Sequence, residues 1–549
     1  MKLVVVGGVA GGATAAARLR RLSEEAVIIL LERGPEVSYA NCGLPYYIGG
    51  IILDREELIL QTPESLAKRY RLDVRVKSTV LAVDAAAKTV RIRDAAGNRE
   101  YDETYDKLLL SPGAFPVRPP FPGSDHPLVR TLRDVADTEA LAGLAGKGGN
   151  AVIVGGGFIG VEMAENLRLR GMSVDLIEAR DQILWNLDPE MAFPVQEIME
   201  GKGVRIVLGD AVTAITPQND GLLVSTRGGL SLPASFVLLA AGVRPDTLLA
   251  RNAGLKTGLA GGILVDRSMR TSDPDIYAVG DAVEAPHLVL GKTVLPLLAG
   301  PANRQARIAA DSMMGRTAEY SGTLTTAICG VFGLQAASSG APEKQLKSAG
   351  IPFQKAYIHP LNHAGYYPGA SRLHMKILFS PGDGRILGIQ AVGAEGADKR
   401  VDVIAIAMQA GLSVGDLAGA ELAYAPQFGS ARDPVNQAGQ VAGNILSGEM
   451  VPAYPDEIAG LIANGAVILD VRTTGEFTAG RIPGSLNIPI DELRNRLGEV
   501  PKSGPVIVCC QVGLRGYVAA RILAGAGHDA RNLVGGFLTY QAFQLKTEK

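Results

Sequence analysis

KLVVVGGVAGGATAAARLRRL, residues 2–22, opens the chain, and NAVIVGGGFIGVEMAENLRLRG, residues 150–171, repeats its design. Each stretch is a β-branched apolar run, then a cluster of glycines, then a helical segment rich in Ala, Leu and Arg. Each leads into a second apolar run closed by a glutamate: VIILLER ends in Glu32 and Arg33, and VDLIEAR holds Glu178. Gly7 and Gly155 lie 148 positions apart and the two glutamates 146, so one supersecondary unit occurs twice. Its physics is that of a dinucleotide site. The first glycine turns the chain off the strand, and the second lets backbone approach a pyrophosphate at the helix N-terminus. The third lets helix pack on strand, and the acid accepts ribose hydroxyls. The second copy has Gly155, Gly157 and Gly160; the first has Gly7 and Gly12, with Val9 in the middle and Gly8 and Gly11 beside it. Two such sites predict electron transfer between a bound flavin and a nicotinamide. Glu178 opposes a 2′-phosphate and favours NADH, while Arg180 keeps NADPH open.

The totals agree with an α/β protein of several domains. At roughly 100–200 residues per domain, 549 residues give three to five. Hydrophobic residues make up 47% and charged residues 20%, which is core-forming material without a disorder signature. A net charge of −2, with no basic tract, argues against nucleic acid or an anionic membrane as partner. Four cysteines are too few for a disulfide framework, so a reducing, cytoplasmic setting is expected. Glycines interrupt the N-terminal apolar run, so no signal peptide is read there, and no apolar run is long enough to predict a membrane span.

TSDPDIYAVGDAVE, residues 271–284, resembles the second FAD motif of the glutathione reductase superfamily, in which an Asp, here Asp281, binds the ribityl chain. KLLLSPGAFP and FVLLAAGVRPDT are similar to that superfamily's connecting strands, at Gly113 and Gly242. Glu162, on the helix after Gly160, matches a glutamate near nicotinamide and flavin in related flavoproteins.

SYANCGLPYYIGG, residues 38–50, carries a lone cysteine, Cys42, ten residues after Glu32. Disulfide reductases of the glutathione reductase kind have a second cysteine five positions on, where this chain has Tyr47. A redox-active Cys42 must then cycle through a mixed disulfide with a substrate thiol, a persulfide or a sulfenic acid. The segment resembles the active site of coenzyme A disulfide reductases, the single-cysteine branch of the superfamily. The likeness runs through about residue 447, including LQTPESL, LAGPANRQARIAAD, NHAGYYPGA and YAPQFGSARDPVNQAG. It implies FAD, NADH and coenzyme A as cofactors and a homodimer through residues 323–447. It also implies that Tyr366 and Tyr424 act on the partner subunit's mixed disulfide, with Tyr367 as the less favoured neighbour. Coenzyme A phosphates call for cations at the pocket mouth, for which Arg18 and Arg21, three apart on one face of the first helix, and Lys68 and Arg69 are the candidates, with Ser38 and Asn41 as further contacts beside Cys42. NADH oxidases and peroxidases, which use a sulfenic acid on the same cysteine, are the competing reading. They carry a histidine in the first glycine loop, where this chain has Val9-Ala10-Gly11. A redox sensor with little turnover is the reading from another class.

VILDVRTTGEFTAGRIPGSLNIP, residues 467–489, and PVIVCCQVGLRGYVAARILAGAG, residues 505–527, resemble a single-domain rhodanese. The resemblance implies a loop from Cys510 to Arg515 in which successive backbone N–H groups and a helix N-terminus hold the sulfur. Arg515 would hold anionic substrates, and Asp470 and Arg472 would be structural. The expected domains are 1–115 and 246–322 for FAD, 116–245 for NAD(P)H, 323–447 for dimerisation, 448–456 as linker, and 457–549 as rhodanese. The expected activity is NAD(P)H-driven reduction of coenzyme A disulfide, coenzyme A persulfide or polysulfide at Cys42, with sulfane sulfur handled on Cys510.

Overall fold

The structure, a computed structural model, describes residues 1–543. The last residues of the expected rhodanese range, 544–549, lie outside them. The chain forms two compact units, 1–183 with 200–325, and 184–199 with the residues from 326 on.

The first unit holds both nucleotide folds. The apolar run Lys2–Val6 is the central strand of a parallel sheet ordered Ile276–Ala278, Lys107–Leu110, Lys2–Val6, Val27–Leu31, Asp73–Arg75. Its continuous hydrophobicity has a simple cause. Leu3, Val4 and Val5 are buried on both faces, as parallel sheets require. The second sheet repeats the plan, with Asn150–Val154 between Ser173–Glu178 and Phe236–Leu239. In both, the glycine cluster follows the C-terminal end of the central strand and opens a helix, Ala10–Leu22 or Phe158–Leu169. That is where an open α/β sheet leaves its ligand crevice. The two segments expected to connect the folds, Ala114–Pro116 and Val243–Pro245, pair with each other as an antiparallel ribbon. The chain therefore leaves the first sheet and returns to it by adjacent paths.

The second unit joins an antiparallel sheet to a parallel one. The antiparallel sheet is ordered Ala327–Val331, Leu334–Gly340, Ile386–Gly393, Leu373–Phe379, Gln354–Ile358. The parallel sheet is ordered Pro452–Ala453, Ala530–Leu533, Val506–Cys509, Val467–Asp470, Leu486–Asn487. Pro452–Ala453, expected in a linker, pairs with Asn532 and Leu533 and is the edge strand of the rhodanese-like sheet. Residues 184–199, expected in the NAD(P)H domain, pack with the antiparallel sheet, to which a buried charge cluster ties them. Lys376, fully buried, sends Nζ to Asp188 (2.7 Å), Glu190 (2.5 Å) and Glu343 (2.6 Å). The three carboxylates lie within 4.8 Å of one another, a spacing that suits a cation, and the ammonium is that cation. Burial alone would lower the Lys376 pKa; the hydroxyl of Tyr357 and the three carboxylates hold it well above its ordinary value. Among the described residues no helix is long and apolar enough to cross a membrane.

Candidate active sites

Burial of the strand ends brings each glutamate back over its own glycine loop. Glu32 Oε2 accepts from Gly8 N–H (2.7 Å) and Oε1 from Gly34 N–H (2.8 Å). Glu178 repeats this with Gly156 N–H (2.7 Å) and Arg180 N–H (2.9 Å). Each carboxylate keeps lone pairs for a ribose. A Cβ on Gly12 would overlap the Gly7 carbonyl oxygen, and one on Gly160 the Gly155 carbonyl. Helix thus packs on strand only with glycine there. A Cβ on Gly157 would meet nothing within 4 Å, so backbone at that point faces open space.

The residues fit a flavin. Gly280 N–H donates to Gln305 Oε1 (2.8 Å), which sets the short turn carrying Asp281. Gln305 Nε2 and Asn41 Oδ1 are buried polar atoms with no partner among the described residues, as a bound group would leave them. Burial raises the Asp281 pKa, and the guanidinium of Arg133 opposes the rise. Arg133 carries no motif in the sequence; its Nη2 lies against Gly113, whose φ is +77°. Gly242 has φ +94°, and its carbonyl accepts from Val117 N–H (2.9 Å), which holds the return path. Arg33 is drawn elsewhere, to Asp246 (3.1 Å).

Cys42 lies in the 3-10 turn Asn41–Gly43, directly before the helix Leu44–Gly49. It is exposed, and the chain's other cysteines, Cys329, Cys509 and Cys510, are buried. Although the residue is exposed overall, its surroundings exclude enough water to push the thiol up, and the carboxylates of Glu162 and Asp281 push it further. Glu162 is itself raised to about 7 by burial, against a hydrogen bond from Tyr46. The expected glutamate is thus electrostatically coupled to the sulfur. Replacing Glu162 by Gln removes an anion beside Cys42. The pH profile of Cys42 alkylation is expected to move to lower pH, with wild-type and variant profiles converging below about pH 7, where Glu162 is neutral. An unmoved profile would show that the two groups do not interact.

The expected coenzyme A contacts differ in state. Arg18 gives Nε (3.0 Å) and Nη2 (2.7 Å) to Asp311, so its charge is already paired. Arg21, Lys68 and Arg69 are exposed. Ser38 sits at φ +48°, held by its N–H on the Gly8 carbonyl (2.8 Å).

In the second unit, Tyr366 and Tyr424 hydroxyls meet at 2.8 Å, and Tyr366 is 76% exposed. That bond raises the Tyr424 pKa. Tyr367 instead packs edge-on against His363, with ring centroids 5.8 Å apart. Of the adjacent tyrosines, it is Tyr366 that joins Tyr424.

Cys510 follows the strand Val506–Cys509, and its Sγ accepts from Gly513 N–H (3.1 Å) at the start of the helix Leu514–Gly525. Gly513 has φ +101°, which only glycine adopts readily. The loop is pinned from behind, with Phe537 N–H on the Cys510 carbonyl (2.7 Å) and Leu538 N–H on that of Gln511 (3.1 Å). Cys509, the last residue of that strand, is buried, and burial raises its pKa far above that of a free thiol. Arg515 is already paired. Its guanidinium forms a bidentate pair with Glu476 (2.7 and 2.8 Å), a partner the sequence reading did not identify. That hydrogen bonding holds Glu476 at about 2. Arg472 pairs with Asp470 in the same way and lies over the Phe537 ring.

Three family models match along the chain. Residues 1–306 match the pyridine nucleotide-disulphide oxidoreductase model, 326–434 that family's dimerisation domain, and 454–543 the rhodanese-like domain. A coenzyme A disulfide reductase of Staphylococcus aureus is 33% identical over 444 residues, 80% of this chain and 99% of that protein. The crystal structure of reduced Bacillus anthracis CoADR-RHD shares 46% identity, with a TM-score of 0.97 over 98% of each chain. An NAD-dependent persulfide reductase from A. fulgidus shares 37%, with a TM-score of 0.93 over 98% of this chain and 100% of the other. With its glycine loops, dimerisation sheet and C-terminal sulfur loop so matched, the chain belongs to the pyridine nucleotide-disulphide oxidoreductases, an enzyme family, and carries a rhodanese-like domain at its end.

Proposed function

We propose that the protein is a homodimeric flavoenzyme that uses NADH to reduce the disulfide or persulfide of coenzyme A, and polysulfide sulfur, at Cys42. One observation carries this reading. Cys42 is the chain's one exposed cysteine, so a disulfide on it has to be completed by the substrate. Coenzyme A, the substrate in the name of the staphylococcal relative, is that partner.

Gly7, Gly8, Gly11, Gly12, Glu32, Gly113 and Asp281 would hold FAD; Gly155, Gly157, Gly160, Glu178 and Gly242 would hold the nicotinamide. The Glu178 carboxylate, fixed over Gly156, favours NADH over NADPH. When bound, the flavin supplies the electron pair of NADH to sulfur. The chain's own residues do the rest. Cys42 thiolate attacks the inner sulfur of coenzyme A persulfide, the S–S bond breaks, hydrosulfide leaves, and a Cys42–coenzyme A disulfide remains. Glu162, titrating at about 7, is suited to exchange a proton beside this sulfur near neutral pH. The Tyr366–Tyr424 hydroxyl pair, exposed on each subunit, is assigned to protonating the thiolate that departs from the partner's Cys42. Arg21, Lys68 and Arg69 are the exposed cations available to coenzyme A phosphates.

Cys510 carries sulfane sulfur and hands it to coenzyme A or to Cys42. Cys510→Ser is therefore expected to abolish NADH oxidation that starts from a sulfur donor such as thiosulfate, while reduction of coenzyme A disulfide stays within about twofold. Equal loss on coenzyme A persulfide in Cys510→Ser and Cys42→Ser would contradict this division of labour.

A further inference from the structure

A cavity of about 210 Å³ lies within the second unit, and its walls come from both of that unit's domains. The rhodanese-like domain contributes Val512, Gly513 and Leu514, the middle of the Cys510 loop. The neighbouring domain contributes Arg432, Gln437, Gln440 and Asn444, at and along the helix Pro434–Leu446. The two walls are tied together by direct bonds. Tyr454 donates its hydroxyl to the Lys355 carbonyl (2.9 Å), and His359 Nε2 meets Thr539 Oγ1 (2.7 Å). Thr539 belongs to the helix Gly536–Ala542, whose first amides pin the Cys510 loop. The cavity is therefore part of a braced structure.

Two observations point to a ligand there. Gly513, whose N–H holds Cys510 Sγ, is in the cavity wall, so an occupant touches the loop that holds the nucleophile. The second observation is charge. The two arginines of the rhodanese-like site are neutralised, Arg515 by Glu476 and Arg472 by Asp470. Arg432 is exposed and makes no ion pair among the described residues, so it is the cation of this cavity that remains open to an anion.

We infer that this cavity is the entry site for anionic sulfane-sulfur donors, and that Arg432, from the neighbouring domain, recognises their charge. The proposal rests on Cys510 as the sulfur carrier. For thiosulfate, Cys510 thiolate attacks the outer sulfur, the S–S bond breaks, sulfite leaves, and the cysteine persulfide anion remains; charge and atoms balance. Cyanide then takes the outer sulfur as thiocyanate and restores the thiolate. Sγ is buried and held by Gly513 N–H, so the donor reaches it through the wall that Gly513 forms.

The test is thiosulfate-to-cyanide sulfur transfer by the full-length flavoprotein. Loss of one charge-assisted contact predicts that Arg432→Gln raises KM for thiosulfate about tenfold with kcat within about twofold. Arg432→Lys should recover most of the loss, and added salt should raise KM in the wild type more than in the Gln variant. Val441→Phe, which fills the cavity without changing charge, should raise KM as well. Thermal melting and flavin content confirm that each variant is folded. A wild-type KM in folded Arg432→Gln and Val441→Phe overturns the proposal. Undiminished transfer in Cys510→Ser would overturn the reading beneath it instead, because sulfur would then pass by another residue.

Discussion

Cys42→Ser is expected to lose NADH-dependent reduction of coenzyme A disulfide and of coenzyme A persulfide by at least about 10⁴-fold, the scale on which removal of a covalent nucleophile acts in other enzymes. A serine hydroxyl is not appreciably ionised at neutral pH and forms no disulfide, so it can neither attack the substrate nor store the mixed disulfide. The variant should fold and keep its flavin, because Cys42 is exposed and belongs to none of the packed cores. Flavin absorbance per chain separates lost chemistry from lost cofactor. Sulfur transfer to cyanide, which needs only Cys510, should continue in Cys42→Ser. If Cys42→Ser keeps a substantial rate on coenzyme A disulfide, the nucleophile lies elsewhere.

The largest expected effect on stability comes from Lys376→Met. The thioether fills most of the space, so packing is nearly conserved, but Asp188, Glu190 and Glu343 then face one another without their shared ammonium. Breaking a buried ion cluster from one side costs about 3–5 kcal/mol, which for a unit of this size corresponds to roughly 6–20 °C in melting temperature. The pH dependence has a definite sign. In the wild type, burial would raise Glu343, but Lys376 and Lys355 hold it at about 2, below its ordinary value of 4.5. Its stabilising contribution is therefore complete above that ordinary value and is lost as pH falls towards 2. In Lys376→Met, Lys355 and Lys347 still face Glu343, but its largest opposing charge is gone, so its pKa rises from about 2. The variant's deficit relative to wild type should therefore shrink as pH is lowered towards 2. Melting curves of both proteins across this range check the sign. A deficit independent of pH would mean that lost packing, not unpaired charge, is responsible.

These two residues also mark what could be read from the chain. The glycine loops were legible because each imposes a local requirement, close packing or a turn, at fixed spacing from an acid. The repeat then named both nucleotide folds. Cys42 was legible for a chemical reason, since a lone thiol after a nucleotide unit, with Tyr47 where a second cysteine would stand, limits its redox partners. Cys510 and its loop were equally local. Lys376 was not legible. It sits in LHMKILF, a strand that reads as ordinary sheet, and its partners are remote in sequence, two of them in the segment assigned to the NAD(P)H domain. That remoteness is also why the packing of residues 184–199 against the antiparallel sheet could not be read. Arg515 illustrates a different limit. Its position at the end of the sulfur loop was evident, but its ion pair depends on Glu476, 39 residues earlier, which the strand order brings alongside. The edge strand Pro452–Ala453 was hidden because two residues carry no periodicity and only pairing with Asn532 and Leu533 defines them. Tyr366 and Tyr424, 58 positions apart, were paired by resemblance, and their hydroxyl contact separates Tyr366 from its neighbour.

The central claim is that the missing partner of Cys42 is coenzyme A, and the most direct measurement is the intact mass of the purified, unreduced protein before and after dithiothreitol. The account predicts a reductant-labile increment equal to coenzyme A, mapped to the peptide that contains Cys42, in a protein with a flavin spectrum. A single added oxygen on Cys42 instead would contradict it and assign the sulfur to peroxide chemistry.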